Sequence, residues 1–165
     1  MAAERIFLGV DPGFVAAGYG VMRFIDRQLS LVDHGVLTQS SSRSIPERLL
    51  VFYTFFDEKI RKFGVTDLAL ETPFLGKNVQ NFLKLGYLRG SLLLLAQQHS
   101  LVIHEFTPRQ VKERITGYGH ADKEQLARVI GTFFPSLALP CRLDVTDAIG
   151  IALCGAWQAA QRKSV

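Results

Sequence analysis

The sequence predicts an α/β domain: a mixed sheet of five strands, three antiparallel and two parallel, with helices on both faces. Three observations predict it. Residues 5–37 hold three apolar runs joined by links short enough for an antiparallel meander. Residues 45–63 change to the helical period, and from there strand-like and helical runs alternate. No linker, repeat or low-complexity segment interrupts the chain, so residues 1–165 read as one domain, long enough to enclose a core.

The first run, residues 6–10, is apolar or small throughout and reads as a buried strand. It ends on Asp11, and Pro12-Gly13 turns the chain at once, because proline fixes φ and glycine accepts positive φ. Asp11 is thereby held at the lip of the sheet, where a carboxylate either ligates a hard cation such as Mg2+ or simply opens the turn. Residues 18–25 and 29–37 are the second and third strands around a tight link. Ser44, with Glu47 three residues on, makes a capping box for a helix over 45–63, whose apolar positions include Leu49, Phe52, Phe56 and Ile60; Gly64 ends it.

Residues 65–71 form a fourth strand, closed like the first by an acid, Glu71. The helix over 78–98 has a centre, Leu92 to Ala96, that is apolar on every side, which places it in the interior or against a partner subunit. Its Gly86 and Gly90 permit close packing, on the sheet or across a dimer seam. Residues 101–105 are the fifth strand, and Thr107 caps a short helix over 108–115. After the Gly117-Tyr118-Gly119 link come a helix over 121–134, a proline-containing loop, and a last helix from 145 to the tail.

Charge is uneven along the chain. From Lys77 to Arg128 there are eight basic and four acidic residues, so this segment carries the whole net charge of +4. A local basic excess suits a polyanion such as nucleic acid. Cys141 and Cys154 form neither a disulfide framework nor a metal spacing, which fits a reducing, cytoplasmic setting. The N-terminal apolar run is too short for a signal peptide. The longest uncharged stretch, residues 90–104, holds Gln97, Gln98 and His99, so no membrane span is expected.

If the first and fourth strands are parallel neighbours, Asp11 and Glu71 emerge at one sheet edge, where open α/β sheets build their sites. The last helix adds Asp144 and Asp147, and a spacing of three puts both on one face. Singly, each is also explained as an acid opposing a helix macrodipole. Carboxylates gathered so closely repel unless cations lie between them. Two Mg2+ ions about 4 Å apart on a scissile phosphate would relieve the repulsion and hydrolyse a phosphodiester.

At this point the motifs can be taken together: Gly9-Val10-Asp11-Pro12-Gly13, Gly18-Tyr19-Gly20, Glu71-Thr72-Pro73-Phe74, Lys77-Asn78, Lys84-Leu85-Gly86 with Arg89-Gly90, Arg109-Gln110-Val111-Lys112, Ala121-Asp122-Lys123 and Asp144-Val145-Thr146-Asp147-Ala148. In this order, from about residue 5 to 157, they resemble the RuvC family of Holliday junction resolvases. The resemblance implies an RNase H-like fold and a homodimer. It also implies symmetric cleavage of four-way DNA junctions in recombination and repair, with two Mg2+ ions per site or Mn2+ in their place, alongside the RuvA–RuvB branch-migration complex. Position by position, it implies that Asp11, Glu71, Asp144 and Asp147 are the catalytic and metal-binding acids. Lys112 and Lys123 match functionally important lysines, and Phe74 matches an aromatic that stacks on bases near the crossover. Together with Lys77 and Arg109, these three are the expected DNA contacts. The alternatives are an RNase H-like nuclease acting on hybrids or flaps, and a silent junction binder, which a dense negative patch would hinder.

The chain departs from the family pattern at two places. The turn after Gly13 usually carries Ser or Thr, an Arg and a Thr; here it reads Phe14-Val15-Ala16-Ala17, so contact with DNA there is apolar, through the backbone, or absent. Pro73 stands where the family usually lacks proline and stiffens the presentation of Phe74. Neither change touches a candidate metal ligand. His34, His99 and His104 read as structural or exposed, and His120, in the link near Lys123, as a secondary DNA-contact candidate.

Overall fold

The computed structural model describes residues 4–73, 78–138 and 140–162. Its elements in order are β1 (Arg5–Asp11), β2 (Ala16–Ile25), β3 (Gln28–Thr38), α1 (Ile45–Phe63), β4 (Asp67–Glu71), α2 (Val79–Gln98), β5 (Val102–Phe106), α3 (Pro108–Thr116), α4 (Lys123–Phe133) and α5 (Leu143–Arg162). The sheet order is β3-β2-β1-β4-β5. The first three strands form the antiparallel meander, and β4 and β5 run parallel to β1. This is the mixed five-stranded sheet that the order of apolar runs predicts. Capping explains the element ends. Ser44 and Glu47 bond reciprocally at the start of α1, and Gly64 closes it in the left-handed region at φ 61°. Helix α4 begins at Lys123 rather than 121 because Asp122 accepts from the Gln125 N–H while Gln125 reaches back to the Asp122 backbone.

The strand period splits the core in two. Ile6, Leu8 and Val10 of β1 pack with Phe52 and Phe56 of α1 and Leu88, Leu92 and Leu95 of α2. Phe7 points the other way, into a core built with Ile115, Ile130, Ile149 and Leu153 from α3, α4 and α5. On that second face the glycines decide how closely a helix can lie. A Cβ at Gly9 would stand 2.2 Å from the Ala148 carbonyl oxygen, and one at Gly18 would stand 2.0 Å from that of Asp144. Helix α5 therefore rests its backbone directly on β1 and β2, and its first turn is brought to the sheet edge where Asp11 lies.

Helix α2 excludes one of the two placements expected for it. Its centre is not buried all round: Leu92 and Leu95 face the sheet, whereas Leu94 is half exposed, as are Val79, Leu83 and Tyr87. Gly86 and Gly90 do not serve helix-on-sheet packing, since a Cβ on either would meet nothing within 4 Å. Both lie on the helix face turned away from the sheet.

At the end of β4 opposite Glu71, Asp67 is wholly buried. It accepts from Arg5 Nε at 2.9 Å, Thr66 Oγ1 at 2.7 Å and His104 Nε2 at 2.7 Å. Burial pushes its pKa up, but these bonds outweigh it and hold the carboxyl below its ordinary value. His104 is thus structural, as read from the sequence. Asp67→Ala leaves the buried His104 imidazole and the partly buried Arg5 guanidinium without their acceptor. It is expected to cost about 3–5 kcal/mol in urea unfolding while leaving the far end of the sheet unchanged.

Candidate active site

Val10 pairs with Leu70 in the parallel β1–β4 ladder, so the next residues, Asp11 and Glu71, leave the sheet side by side. The Gly18 contact described above sets the start of α5 beside them, and Asp147 follows Asp144 by nearly one turn. Asp11, Glu71 and Asp147 line one cavity of about 150 Å3, which Lys112 of α3 and Lys123 of α4 also line. Asp144 lies just outside it, in an adjoining groove that it shares with Asp11.

Burial, more than any neighbouring charge, raises Asp11 to about 7; Asp147, Glu71 and Asp144 add repulsion and Lys123 partly offsets it. Burial likewise raises Glu71 to about 7, with Asp147 adding to it. Asp147 is raised for the same reason, although Lys123 Nζ donates to its Oδ2 at 2.6 Å. For Lys123, burial favours the neutral amine, but Asp147, Asp11 and Asp144 prevail and raise its pKa.

Among the described residues, no three Asp, Glu, His or Cys side chains are already gathered around one point. The carboxylates are shared out to protein cations instead: Lys123 holds Asp147, and Arg142 Nη2 donates to Asp144 at 3.0 Å. The donor chemistry nevertheless fits a hard divalent ion. Every candidate ligand is a carboxylate oxygen, and a bound cation would offset both the burial and the mutual repulsion that raise Asp11, Glu71 and Asp147.

A stability prediction follows with a definite sign. Between pH 4 and 7 the folded protein binds protons at Asp11 and Glu71 that the unfolded chain has released. Stability without metal therefore falls as pH rises through this window and levels above it. Melting at pH 8 should lie about 5 °C below that at pH 5, and millimolar Mg2+ should recover most of the difference at pH 8 but little at pH 5. A flat metal-free profile in differential scanning calorimetry would contradict the crowding of these acids.

The basic candidates surround the same cavity to different degrees. Lys112 and Lys123 line it, while Arg109 is exposed on the first turn of α3, its stem lying over Gly119 so that the 117–121 link folds back on that helix. His120 stands edge-on to Tyr118 in that link at 5.7 Å. Phe74 and Lys77 lie outside the described residues.

Sequence reasoning missed the role of Arg89. Its Nη1 donates to the Glu71 carbonyl at 2.7 Å and its Nη2 bonds Glu105, so it ties α2 to the ends of β4 and β5. The available signal was the absence of any acid between residues 78 and 98, which forces this arginine to find its partner elsewhere.

Among the described residues, no helix is long and apolar enough to cross a membrane. Cys141 and Cys154 are both free thiols.

Comparison with known proteins gives the family. The family model described as crossover junction endodeoxyribonuclease RuvC matches residues 7–155. The crossover junction endodeoxyribonuclease RuvC of Chlorobium chlorochromatii (strain CaD3) is 41% identical over 159 residues, covering 96% of this chain and 83% of the relative. That of Alkaliphilus oremlandii (strain OhILAs) is 36% identical, covering 92% of each. The structure of Thermus thermophilus RuvC in complex with Holliday junction substrate superposes with a TM-score of 0.86 at 26% identity, covering 95% of this chain and 96% of that one.

Proposed function

Since this chain belongs to the RuvC family of crossover junction endodeoxyribonucleases, we propose that it resolves four-way DNA junctions by hydrolysis at two divalent cations, Mg2+ or Mn2+, held by Asp11, Glu71, Asp144 and Asp147. One observation carries the site assignment: two acids leave neighbouring parallel strands side by side and share a cavity with an acid from a helix late in the chain. Bound there, such cations supply an activated water and neutralise the leaving oxygen.

The chain's own residues do the rest. Asp11 and Glu71 are fixed by the sheet, and Asp147 becomes available when Lys123 releases it. Lys123 and Lys112 then turn toward the phosphate and stabilise its developing charge. Arg109, with Phe74 and Lys77, extends the contact along the DNA. The basic excess of this segment makes affinity fall with salt.

Symmetric cleavage needs two equivalent sites, which a two-fold dimer supplies. The half-exposed stripe of Val79, Leu83, Tyr87 and Leu94, with Gly86 and Gly90 open beside it, is suited to meet its own copy. Leu83→Glu should convert the protein to an 18.4 kDa monomer in sedimentation velocity. A dimer that persists would move the interface elsewhere. The same reading places the protein in the cytoplasm, working with the RuvA–RuvB complex.

The deciding experiment offers the purified protein synthetic junctions, RNA–DNA hybrids and flaps, with Mg2+ and with EDTA. Paired, metal-dependent nicks confined to the junction are expected. Preference for hybrids or flaps, or binding without cutting, would overturn the proposal.

A further inference from the structure

A second groove, of about 530 Å3, opens from Asp11 and Asp144 and runs between the 12–16 turn, α1 and α2. Arg48 from α1 and Asn81 and Lys84 from α2 line it. Both cations face a groove that holds two carboxylates, yet neither forms an ion pair among the described residues. Arg48 is also held in place without being satisfied. Its Nη2 donates to the Phe14 carbonyl at 2.5 Å, and its guanidinium lies 4.9 Å from the centre of the Phe14 ring. Its Nε is buried with no protein acceptor, an unmet donor that costs free energy. The turn itself, Phe14-Val15-Ala16-Ala17, brings no charge or hydroxyl, so the polar side chains opposite the acids come from the helices.

We propose that Arg48, Lys84 and Asn81 form a subsite for the backbone phosphate next to the scissile one, leading the cut strand into the acid cavity. This deepens the nuclease reading and rests on it. A strand approaching the acids meets a repulsive field, and two unpaired cations beside the entrance counter it. The planar guanidinium matches phosphate oxygens, Lys84 adds a point charge, and the Asn81 amide donates. The Phe14 ring and carbonyl fix the guanidinium plane beforehand, so little order is lost on binding.

The test uses the full chain with Mg2+ and a synthetic four-way junction in which single phosphates flanking the scissile one are replaced by uncharged methylphosphonates. At one flanking position the unmutated protein should cut about 10-fold more slowly. Lys84→Gln should cut the unmodified junction about 10-fold more slowly and lose nothing further from the replacement at that position, because the contact is already gone. Its binding should also show a salt slope shallower by about one. Arg48→Gln could loosen the Phe14 turn, so Arg48→Lys, which keeps the charge but not the fork, is run beside it and should show the same insensitivity in part. The subsite is overturned if Lys84→Gln cuts like the unmutated protein, or if variant and replacement effects multiply at every flanking position. An unmutated protein that cuts no junction at all removes the nuclease reading, and the subsite with it.

Discussion

Asp11→Asn should bind four-way junctions in the presence of Mg2+ and fail to cut them, with a loss of at least about 10³-fold in single-turnover rate. The expectation rests on where the backbone puts the residue. Asp11 closes the central strand next to Glu71 and interacts with Asp147 and Asp144 as well, so all three other candidates act on it. The asparagine keeps the shape and loses the charge. Its thermal stability separates lost chemistry from lost fold. In the parent, the ionised Asp11 carboxylate is unfavourable above its raised pKa of about 7. At pH 8 without metal, the variant should therefore melt higher than the parent, by about 5 °C, with a weaker dependence on pH. Retained cutting would remove Asp11 from the site, and a lowered melting point would mean that the loss is structural.

Gly18→Ala should be damaging although it adds only one uncharged methyl group. The new Cβ would stand 2.0 Å from the Asp144 carbonyl oxygen and 2.3 Å from its carbonyl carbon. Both are backbone atoms, which cannot rotate aside, so the first turn of α5 must lift from the sheet. Overpacking of this kind costs about 1–3 kcal/mol. The larger effect is on the site, since Asp144 rides on that turn and Asp147 on the one that follows it. A displacement near 1 Å should lower the cleavage rate about 10²-fold in protein that circular dichroism shows to be folded. Cleavage reduced only in proportion to the unfolded fraction would show that α5 tolerates the shift.

Much of the molecule was legible before any coordinates. Strand and helix periods are local, and so are the signals that end elements, which is why the Ser44–Glu47 box, the Gly64 stop and the five strands fall where the pattern puts them. Both strand-end acids were legible for the same reason: each closes an apolar run. Helix α2 was half legible. Its apolar composition announced a buried face, but composition does not say which leucines turn outward, and Gly86 and Gly90 could be placed only once the sheet lay on the other side.

By itself the sequence determined the order of elements, the acids at their ends and the family, because these depend on residue type and spacing along the chain. Tertiary structure alone decided three things: that Gly9 and Gly18 are there to admit a helix backbone, that Arg89 secures the strand end carrying Glu71, and that Lys123 of α4 pairs with Asp147 of α5. The physical reason is common to all three. A close approach or a hydrogen bond between different elements leaves no periodic trace in the chain, and comes into being only when those elements pack together.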